Sequence, residues 1–263
     1  MISESITELT LPYDDTEKSV RVYVSAHEEG ETLPVIYMTD GQNLFEDTDV
    51  RFGCWYTREA VRAERKLSGE AAIIVGISND DTPLVRTNDL TPLSIGELVC
   101  PEEVKQALTP KGELFDAFIV DTVKPAVEER FPVKTGRKNT ALCGSSSGGL
   151  EVFFTAVSHP DLFCASGVFS PAFIYYMPED VVRWTCSKMR DEMPYLYLYC
   201  GGSGEQEEMM CRWMERVYDM LLECYPPERL NEIILPQNKH HEEAWAEIFK
   251  DFLHTFLVRR EEF

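Results

Sequence analysis

Residues Gly144 to Gly148 read G-S-S-S-G, which fits the pattern G-x-S-x-G with Ser146 at its centre. A short apolar run, Thr140 to Cys143, precedes the pattern, and an apolar helical segment, Leu150 to Val157, follows it. A strand, a tight turn and a helix in this order predict a nucleophile elbow, in which a strained turn holds a serine hydroxyl out of the sheet. The helix would direct backbone N–H groups and a positive dipole end at the reaction site. The alternative is a loop that only connects two elements.

A serine hydroxyl needs a base to accept its proton and a third group to hold that base in the correct tautomer. His240 and His241 follow a predicted strand end and come after a candidate acid in the chain. The other histidines lie before the first central strand, at the end of the elbow helix and inside the terminal helix: His27, His159 and His254. The His240-His241 pair is therefore the candidate base, and the alternative is a polar turn that begins a helix.

The acid is expected just after the predicted strand Tyr195 to Cys200, because ligands and catalytic groups gather at the carboxyl ends of parallel strands. Glu205 is the first carboxylate there, beyond a glycine-rich turn, and we predict that it is the acid. Glu207 and Glu208 follow closely. The alternative is that all three are acids in the first turn of a helix, where the helix dipole favours them.

A developing oxyanion needs two hydrogen-bond donors. We predict the backbone N–H of Ser147 as one donor and that of Gln42 as the other, because Asp40-Gly41-Gln42 follows an early buried strand. An ordinary Asp-Gly turn is the alternative for that loop.

Apolar periodicity predicts strands that alternate with helices, and therefore a mostly parallel sheet with helices on both faces. The predicted strands are Ile6 to Leu11, Val20 to Val24, Pro34 to Thr39, Ala71 to Ile77, Thr140 to Cys143, Phe163 to Phe169, Tyr195 to Cys200 and Leu230 to Leu235. The predicted helices are Trp55 to Leu67, Leu114 to Glu129, Leu150 to Val157, Glu179 to Met189, Glu205 to Cys224 and His241 to Val258. Between them, Ser78 to Gly112 is predicted to be a long irregular segment. We expect one domain over residues 1–263.

The formal net charge is −21, with 46 acidic and 25 basic residues. Such a surface repels nucleic acid and anionic membranes, so we expect neither as a partner. The N-terminal segment lacks the basic and apolar parts of a secretory signal, and no apolar run is long enough to span a bilayer. We therefore expect a soluble, cytoplasmic protein.

The eight cysteines show no C-x-x-C spacing, and most of them lie in apolar runs. Free, buried thiols are expected, without a disulfide framework or a zinc site.

Several segments together resemble the esterase family within the α/β-hydrolases, the group that contains enterochelin esterases, feruloyl esterases, S-formylglutathione hydrolases and mycolyltransferases. The first is Y-M-T-D-G-Q-N-L-F at Tyr37 to Phe45, which is similar to the family's Y-M-H-D-G-Q-N-L-F with Thr39 in place of histidine. The others are Val75 to Ile77, Arg86 to Pro92, Gly144 to Leu150, Val168 to Pro171, Gly202 to Glu205 and His240 to Trp245. The resemblance covers nearly the whole chain and implies the α/β-hydrolase fold without a large lid domain.

The resemblance also implies site residues. It places the catalytic base on His240 and not on His241, and it supports Glu205 as the acid. Trp55, Arg86 and Trp245, with Phe173, would line the substrate pocket. The alternative is that the tryptophans belong to the core and that Arg86 pairs with one of the many acids.

These observations predict a serine carboxylic-ester hydrolase with the triad Ser146, Glu205 and His240, which needs no metal and no cofactor. The expected substrate is a small, neutral or weakly polar ester. The alternatives are an acyltransferase of the same fold and a non-catalytic ligand-binding protein. Filled triad positions argue against the second alternative. The sequence makes no prediction of the oligomeric state.

Overall fold

The computed structural model of the chain describes residues 1–46, 53–79 and 82–263. Within these residues, eight strands form one sheet in the order β1-β2-β4-β3-β5-β6-β7-β8. The strands are β1 Ser5–Tyr13, β2 Thr16–Val24, β3 Val35–Thr39, β4 Ile73–Ile77, β5 Thr140–Ser145, β6 Ala165–Phe169, β7 Tyr195–Ser203 and β8 Leu230–Lys239. The β1–β2 and β2–β4 pairs are antiparallel, and the other pairs are parallel. The mostly parallel sheet and its antiparallel edge strands agree with the sequence prediction.

Right-handed crossovers determine which face of the sheet each helix covers. The described α-helices are α1 Thr57–Ser68, α2 Pro83–Asp89, α3 Glu102–Ala107, α4 Gly112–Ala117, α5 Lys124–Arg130, α6 Ser147–Ser158, α7 Pro178–Ser187, α8 Glu205–Leu221 and α9 Glu242–Arg259. The connection from β3 to β4 runs in one direction across the sheet, and the later connections run in the other. Therefore α1 lies on one face, where α9 packs against it, and α6 lies on the opposite face against β5 and β6.

The central strands are buried on both faces, since every residue of β3, β4 and β6 is buried. This burial explains why these strands are continuous apolar runs in the sequence and do not alternate. It also places their carboxyl ends side by side at one edge of the sheet.

The segment Ser78 to Gly112 is more ordered than the sequence predicts, although residues 80 and 81 lie outside the described residues. It contains α2, a 3-10 turn at Leu93–Ile95 and α3. Pro83 is in the first turn of α2, and Pro101 directly precedes α3. These prolines begin helices instead of interrupting them, because the fixed φ of proline suits the first turn and its missing N–H costs nothing there.

The helix predicted from Leu114 to Glu129 is present but interrupted. A π-helical segment, Phe118–Val123, separates α4 from α5. Pro125 lies in the first turn of α5 and cannot donate the backbone hydrogen bond that a continuous α-helix needs.

The expectation that all cysteines are free is wrong. Cys186 and Cys224, which are 38 residues apart, form a disulfide, and the other six are not disulfide-bonded. Sequence spacing cannot reveal this pair, because it forms only where the end of α7 meets the turn beyond α8. Disulfides persist in oxidising compartments, so this bond does not fit the reducing compartment that the cytoplasmic prediction implies. No helix in the described part of the chain is both long and apolar enough to cross a membrane.

Glu151, on α6, is fully buried, and neither of its carboxyl oxygens has a hydrogen-bond partner among the described residues. Burial raises the pKa of this carboxyl well above its ordinary value, and the nearby acids Asp116, Glu113 and Asp89 raise it further. A carboxyl with a raised pKa in the folded state stabilises the protein fully only below its unfolded pKa. That contribution is lost as the pH rises through the folded pKa.

We therefore expect Glu151→Met to raise Tm at pH 8 by about 3 to 10 °C, because an unpaired buried polar group costs about 1 to 3 kcal/mol. The gain should be smaller at pH 5, where less free energy is spent on keeping the carboxyl protonated. Calorimetry at both pH values measures this difference. The matched control is Glu129→Met, which removes one charge from an exposed position. Equal gains for the two variants would contradict the prediction.

Candidate active site

Ser146 alone makes the turn between β5, which ends at Ser145, and α6, which begins at Ser147. Its backbone has φ 59° and ψ −126°, a conformation that side-chain-bearing residues rarely adopt. Two backbone hydrogen bonds hold it: the N–H of Ser146 donates to the carbonyl of Phe169 (2.9 Å), and its carbonyl accepts from the N–H of Ala172 (3.0 Å). Ser146 is partly exposed between buried neighbours. The predicted strand, turn and helix are therefore present, and the catalytic role of Ser146 stays a prediction.

The glycine at position 148 is required by the close approach of β3 to the turn. A Cβ on Gly148 would overlap the hydroxyl of Thr39, and it would lie 3.1 Å from a carboxylate oxygen of Asp40. The end of β3 and the start of α6 therefore touch, which brings the loop after β3 beside Ser146.

His240 is paired with Glu207 and not with Glu205. Nδ1 of His240 lies 2.5 Å from Oε2 of Glu207, whose side chain is fully buried. Burial opposes ionisation of Glu207, but hydrogen bonds from His240 and Ser170 outweigh it, so the pKa of this carboxyl lies below its ordinary value. An ionised carboxylate can only accept, so Nδ1 of His240 carries the proton and Nε2 is left to act as a base.

His240 pairs with Glu207 in place of the predicted Glu205, and the reason is local geometry. A register shift between Gly201 and Ser203 distorts the end of β7, and α8 begins only at Glu205. Glu205 lies in the exposed first position of that helix. Two residues later the helix has turned by roughly 200°, so Glu207 points back to the sheet.

Two groups besides His240 hold Glu207 in place. Its Oε1 accepts hydrogen bonds from the hydroxyl of Ser170 (2.6 Å) and from the N–H of Gly201 (2.5 Å). Trp245 donates its indole N–H to the same hydroxyl (3.0 Å) and packs edge-on against the ring of His240. Ser170 follows Phe169, whose carbonyl binds the N–H of Ser146. The row Trp245–Ser170–Glu207–His240 therefore lies beside the Ser146 turn.

His241 caps a helix, whereas His240 pairs with Glu207. Nδ1 of His241 accepts a hydrogen bond from the N–H of Glu243 (3.3 Å), so it caps the N-terminus of α9. The alternative interpretation of the histidine pair as a helix-start turn is thus correct for His241 and not for His240.

The loop after β3 is a 3-10 turn, Gly41–Asn43, entered through a left-handed Asp40 with φ 56°. The side-chain oxygen of Gln42 accepts a hydrogen bond from the N–H of Asn79 (3.1 Å), and a Cβ on Gly41 would overlap the backbone of Gly76. The turn is thus pressed onto the end of β4. Gln42 and Ser147 lie at the carboxyl ends of neighbouring strands, as the oxyanion-hole prediction requires.

Arg86, which the sequence predicts to bind substrate, is held in an ion pair with Asp40, and its role in substrate binding stays a prediction. Its Nε and Nη2 donate to the two carboxylate oxygens of Asp40 (2.6 and 2.8 Å), and Nη2 also donates to the carbonyl of Ser145 (3.3 Å). Burial disfavours the charged form of Asp40, but Arg86 more than compensates and lowers the pKa of the carboxyl. The alternative, that Arg86 pairs with an acid, is correct.

The aromatic residues expected in the substrate pocket lie in the core. Trp55 is 3% exposed and stacks on Phe169, with ring centroids 5.6 Å apart. Trp245 is 5% exposed and Phe173 is fully buried. Trp245 packs against the ring of His240, whereas Trp55 and Phe173 fill space in the core near the ends of the strands.

Glu242 is a buried acid that is not among the predicted site residues, although it belongs to the segment His240 to Trp245 that resembles the family. The side-chain amide of Asn43 faces it at 3.5 Å. Burial raises the pKa of Glu242 to about 7, and the nearby carboxylate of Asp40 raises it as well, whereas His240 and Arg86 lower it. Besides Glu207, the site therefore holds Glu242, a carboxyl with a pKa near neutral pH. Among the described residues, no group of three or more His, Cys, Asp or Glu side chains could hold a metal ion.

Comparisons with known proteins show which family and fold the chain resembles. A family model described as "Putative esterase" matches residues 14–193, more than half of the chain. An endo-1,4-beta-xylanase/feruloyl esterase from Xylanibacter ruminicola is 26% identical over 121 residues, which are 46% of this chain and 14% of that protein. The chain thus matches only about one seventh of the length of this curated relative.

Solved structures show the same fold over nearly the whole chain. A ferulic acid esterase has a TM-score of 0.69 and 14% identity, covering 98% of this chain and 99% of its own. A siderophore hydrolase from Aspergillus nidulans has a TM-score of 0.67 and 21% identity, covering 96% and 94%. Together with the family match, the strained serine turn and the paired histidine, these likenesses lead to one conclusion: the chain belongs to the esterase family and has the α/β-hydrolase fold.

Proposed function

We propose that the chain is a serine carboxylic-ester hydrolase that acts on a small ester through a Ser146–His240–Glu207 triad. The observation that carries the proposal is the hydrogen-bonded row Ser170–Glu207–His240 beside the strained turn of Ser146. Membership of the esterase family supports the same reaction class. The relatives named for feruloyl ester and siderophore hydrolysis support a carboxylic ester as the substrate.

In the proposed reaction, Oγ of Ser146 attacks the carbonyl carbon of the ester while Nε2 of His240 takes the hydroxyl proton. Glu207 stays ionised and stabilises the imidazolium through Nδ1–H. The N–H groups of Ser147 and Gln42 bind the negative oxygen of the tetrahedral intermediate. The alcohol leaves with the proton from Nε2, which forms an acyl-enzyme. Water then attacks the acyl carbon and gives a proton to Nε2. Nε2 returns this proton to Oγ of Ser146 as the bond between Oγ and the acyl carbon breaks, which releases the carboxylic acid and regenerates the serine hydroxyl.

The first prediction tests the nucleophile. Ser146→Ala should lower kcat for p-nitrophenyl acetate on the order of 10⁴-fold or more, because a triad loses most of its benefit with one member. Ser145→Ala and Ser147→Ala are the matched controls and should retain much of the activity. A fluorophosphonate probe followed by peptide mass mapping should place the label on Ser146. A label on a neighbouring serine, or none, would refute the proposed function.

A second prediction distinguishes the two candidate acids. Glu207→Gln should lower kcat by about 10² to 10⁴-fold, because an amide no longer holds the tautomer of His240 that accepts the serine proton. Glu205→Gln makes the same chemical change two residues away on the exposed side of α8 and should stay within about twofold of the wild type. The measurement is kcat for p-nitrophenyl acetate, with circular dichroism to confirm folding. If Glu205→Gln were the more damaging change, the assignment of the acid would be wrong.

A third prediction separates the adjacent histidines. His240→Ala should lose several orders of magnitude in kcat. His241→Ala removes only a helix cap, so it should lower the free energy of unfolding by about 1 kcal/mol and leave most of the turnover. Urea unfolding and steady-state kinetics on both variants measure these effects. Reversed losses in kcat would show that His241 is the base.

A further inference from the structure

A cavity of about 290 Å³ lies beside the candidate active site, within the segment that links β4 to β5. Helix α2 forms one wall, and residues 98–108 and the side chain of Tyr175 form the others. Five of the eight lining residues are aliphatic or proline: Pro83, Leu84, Leu98, Val104 and Leu108. Leu84 and Val104 are 45% and 46% exposed, so apolar side chains stand at the mouth of the cavity.

Two contacts join the cavity to the serine turn. The hydroxyl of Tyr175 lies 3.3 Å from the hydroxyl of Ser147, the residue directly after Ser146. On the other side, Arg86 fastens α2 to Asp40 and to the carbonyl of Ser145, while Leu84 and Thr87 of the same helix line the cavity. The backbone N–H of Val99 donates to the carbonyl of Tyr175 (2.8 Å). This hydrogen bond joins residues 98–108 to Tyr175 in the wall of the cavity.

We propose that this cavity is the subsite for an uncharged, apolar substituent of the ester substrate, and that its size limits the substituent to roughly ten non-hydrogen atoms. The limit follows from a liquid volume of about 30 Å³ for a water-sized group. Among the described residues, the lining contributes no carboxylate, lysine or arginine, so a charged group would lose its hydration without gaining a partner there. The inference depends on the proposed ester hydrolysis, since it assigns part of the substrate.

A pair of neighbouring residues supplies the test. Leu84→Trp fills the cavity, whereas Val85→Trp adds the same bulk to an adjacent position of α2 that is 41% exposed and does not line it. In the wild type, kcat/KM should rise about fourfold for each methylene from p-nitrophenyl acetate to the hexanoate, and fall for the dodecanoate. The ratio of kcat/KM for hexanoate to that for acetate should drop at least tenfold in Leu84→Trp and stay within twofold of the wild type in Val85→Trp.

A second series, acetate esters of alcohols from methanol to 3-phenylpropanol followed by pH-stat, tells whether the acyl or the alcohol group occupies the cavity. Sensitivity to Leu84→Trp in either series supports the subsite and identifies its occupant. If the two tryptophan variants behave alike in both series, the subsite is refuted.

Cys100 lines the cavity and gives a measurement that does not depend on turnover. Among the six cysteines outside the disulfide, Cys100 is partly exposed and the other five are buried. Its alkylation by N-ethylmaleimide should slow at least fivefold in saturating 3-phenylpropan-1-ol but not in propane-1,3-diol, and Leu84→Trp should abolish the protection. Protection without ester hydrolysis would refute the proposed function and keep the apolar site. Hydrolysis without protection or chain-length dependence would refute the subsite.

Discussion

The ion pair between Asp40 and Arg86 connects the three segments from which the site is built. Asp40 begins the loop after β3 in a left-handed conformation, Arg86 belongs to α2, and the same guanidinium reaches the carbonyl of Ser145 at the start of the serine turn. Removing one member of such a buried pair typically costs about 3 to 5 kcal/mol, and the lower end applies here because Arg86 is one quarter exposed. The positions of Gln42 and of the cavity wall thus depend on a single interaction.

This dependence gives the two sides of the site different kinds of support. The acid side is fixed by short hydrogen bonds to buried groups, namely Ser170 and Gly201 on Glu207. The opposite side, with the loop after β3 and α2, is fixed mainly by charge and by the close contact of Gly41 with Gly76. Glu242 lies between the two sides, near Asn43 and His240. Because the pKa of Glu242 is about 7, its charge changes near neutral pH and alters the electrostatic potential on both sides of the site.

The sequence predicts the sheet and the serine turn because each depends on local information. The apolar runs of β3 and β5 mark buried strands, and the small residues around Ser146 permit a turn in which β3 and α6 touch. The prediction that His240 is the base also rests on local information, namely its position after a strand end and its resemblance to a family segment. In each case the signal lies within about ten consecutive residues.

The differences between prediction and structure concern side chains whose environment depends on distant parts of the chain. Glu205 and Glu207 differ only in rotation about α8, which the distorted end of β7 determines. Arg86 finds Asp40 46 residues away, and Trp55 stacks on a strand that follows it by more than a hundred positions. The Cys186–Cys224 bond likewise requires that α7 and α8 already be packed.

That disulfide gives the members of the proposed triad different covalent surroundings. It closes a loop of 38 residues that contains β7 and the whole of α8, so Glu207 lies inside the loop, whereas Ser146 and His240 lie outside it. In the chain-entropy model, closing such a loop lowers the conformational entropy of the unfolded state and so stabilises the folded protein by about 4 kcal/mol. Reduction would therefore lower the free energy of unfolding of the protein by a similar amount. The thiol redox state thereby affects the site through stability, although neither sulfur lies in the row of hydrogen bonds that holds the imidazole.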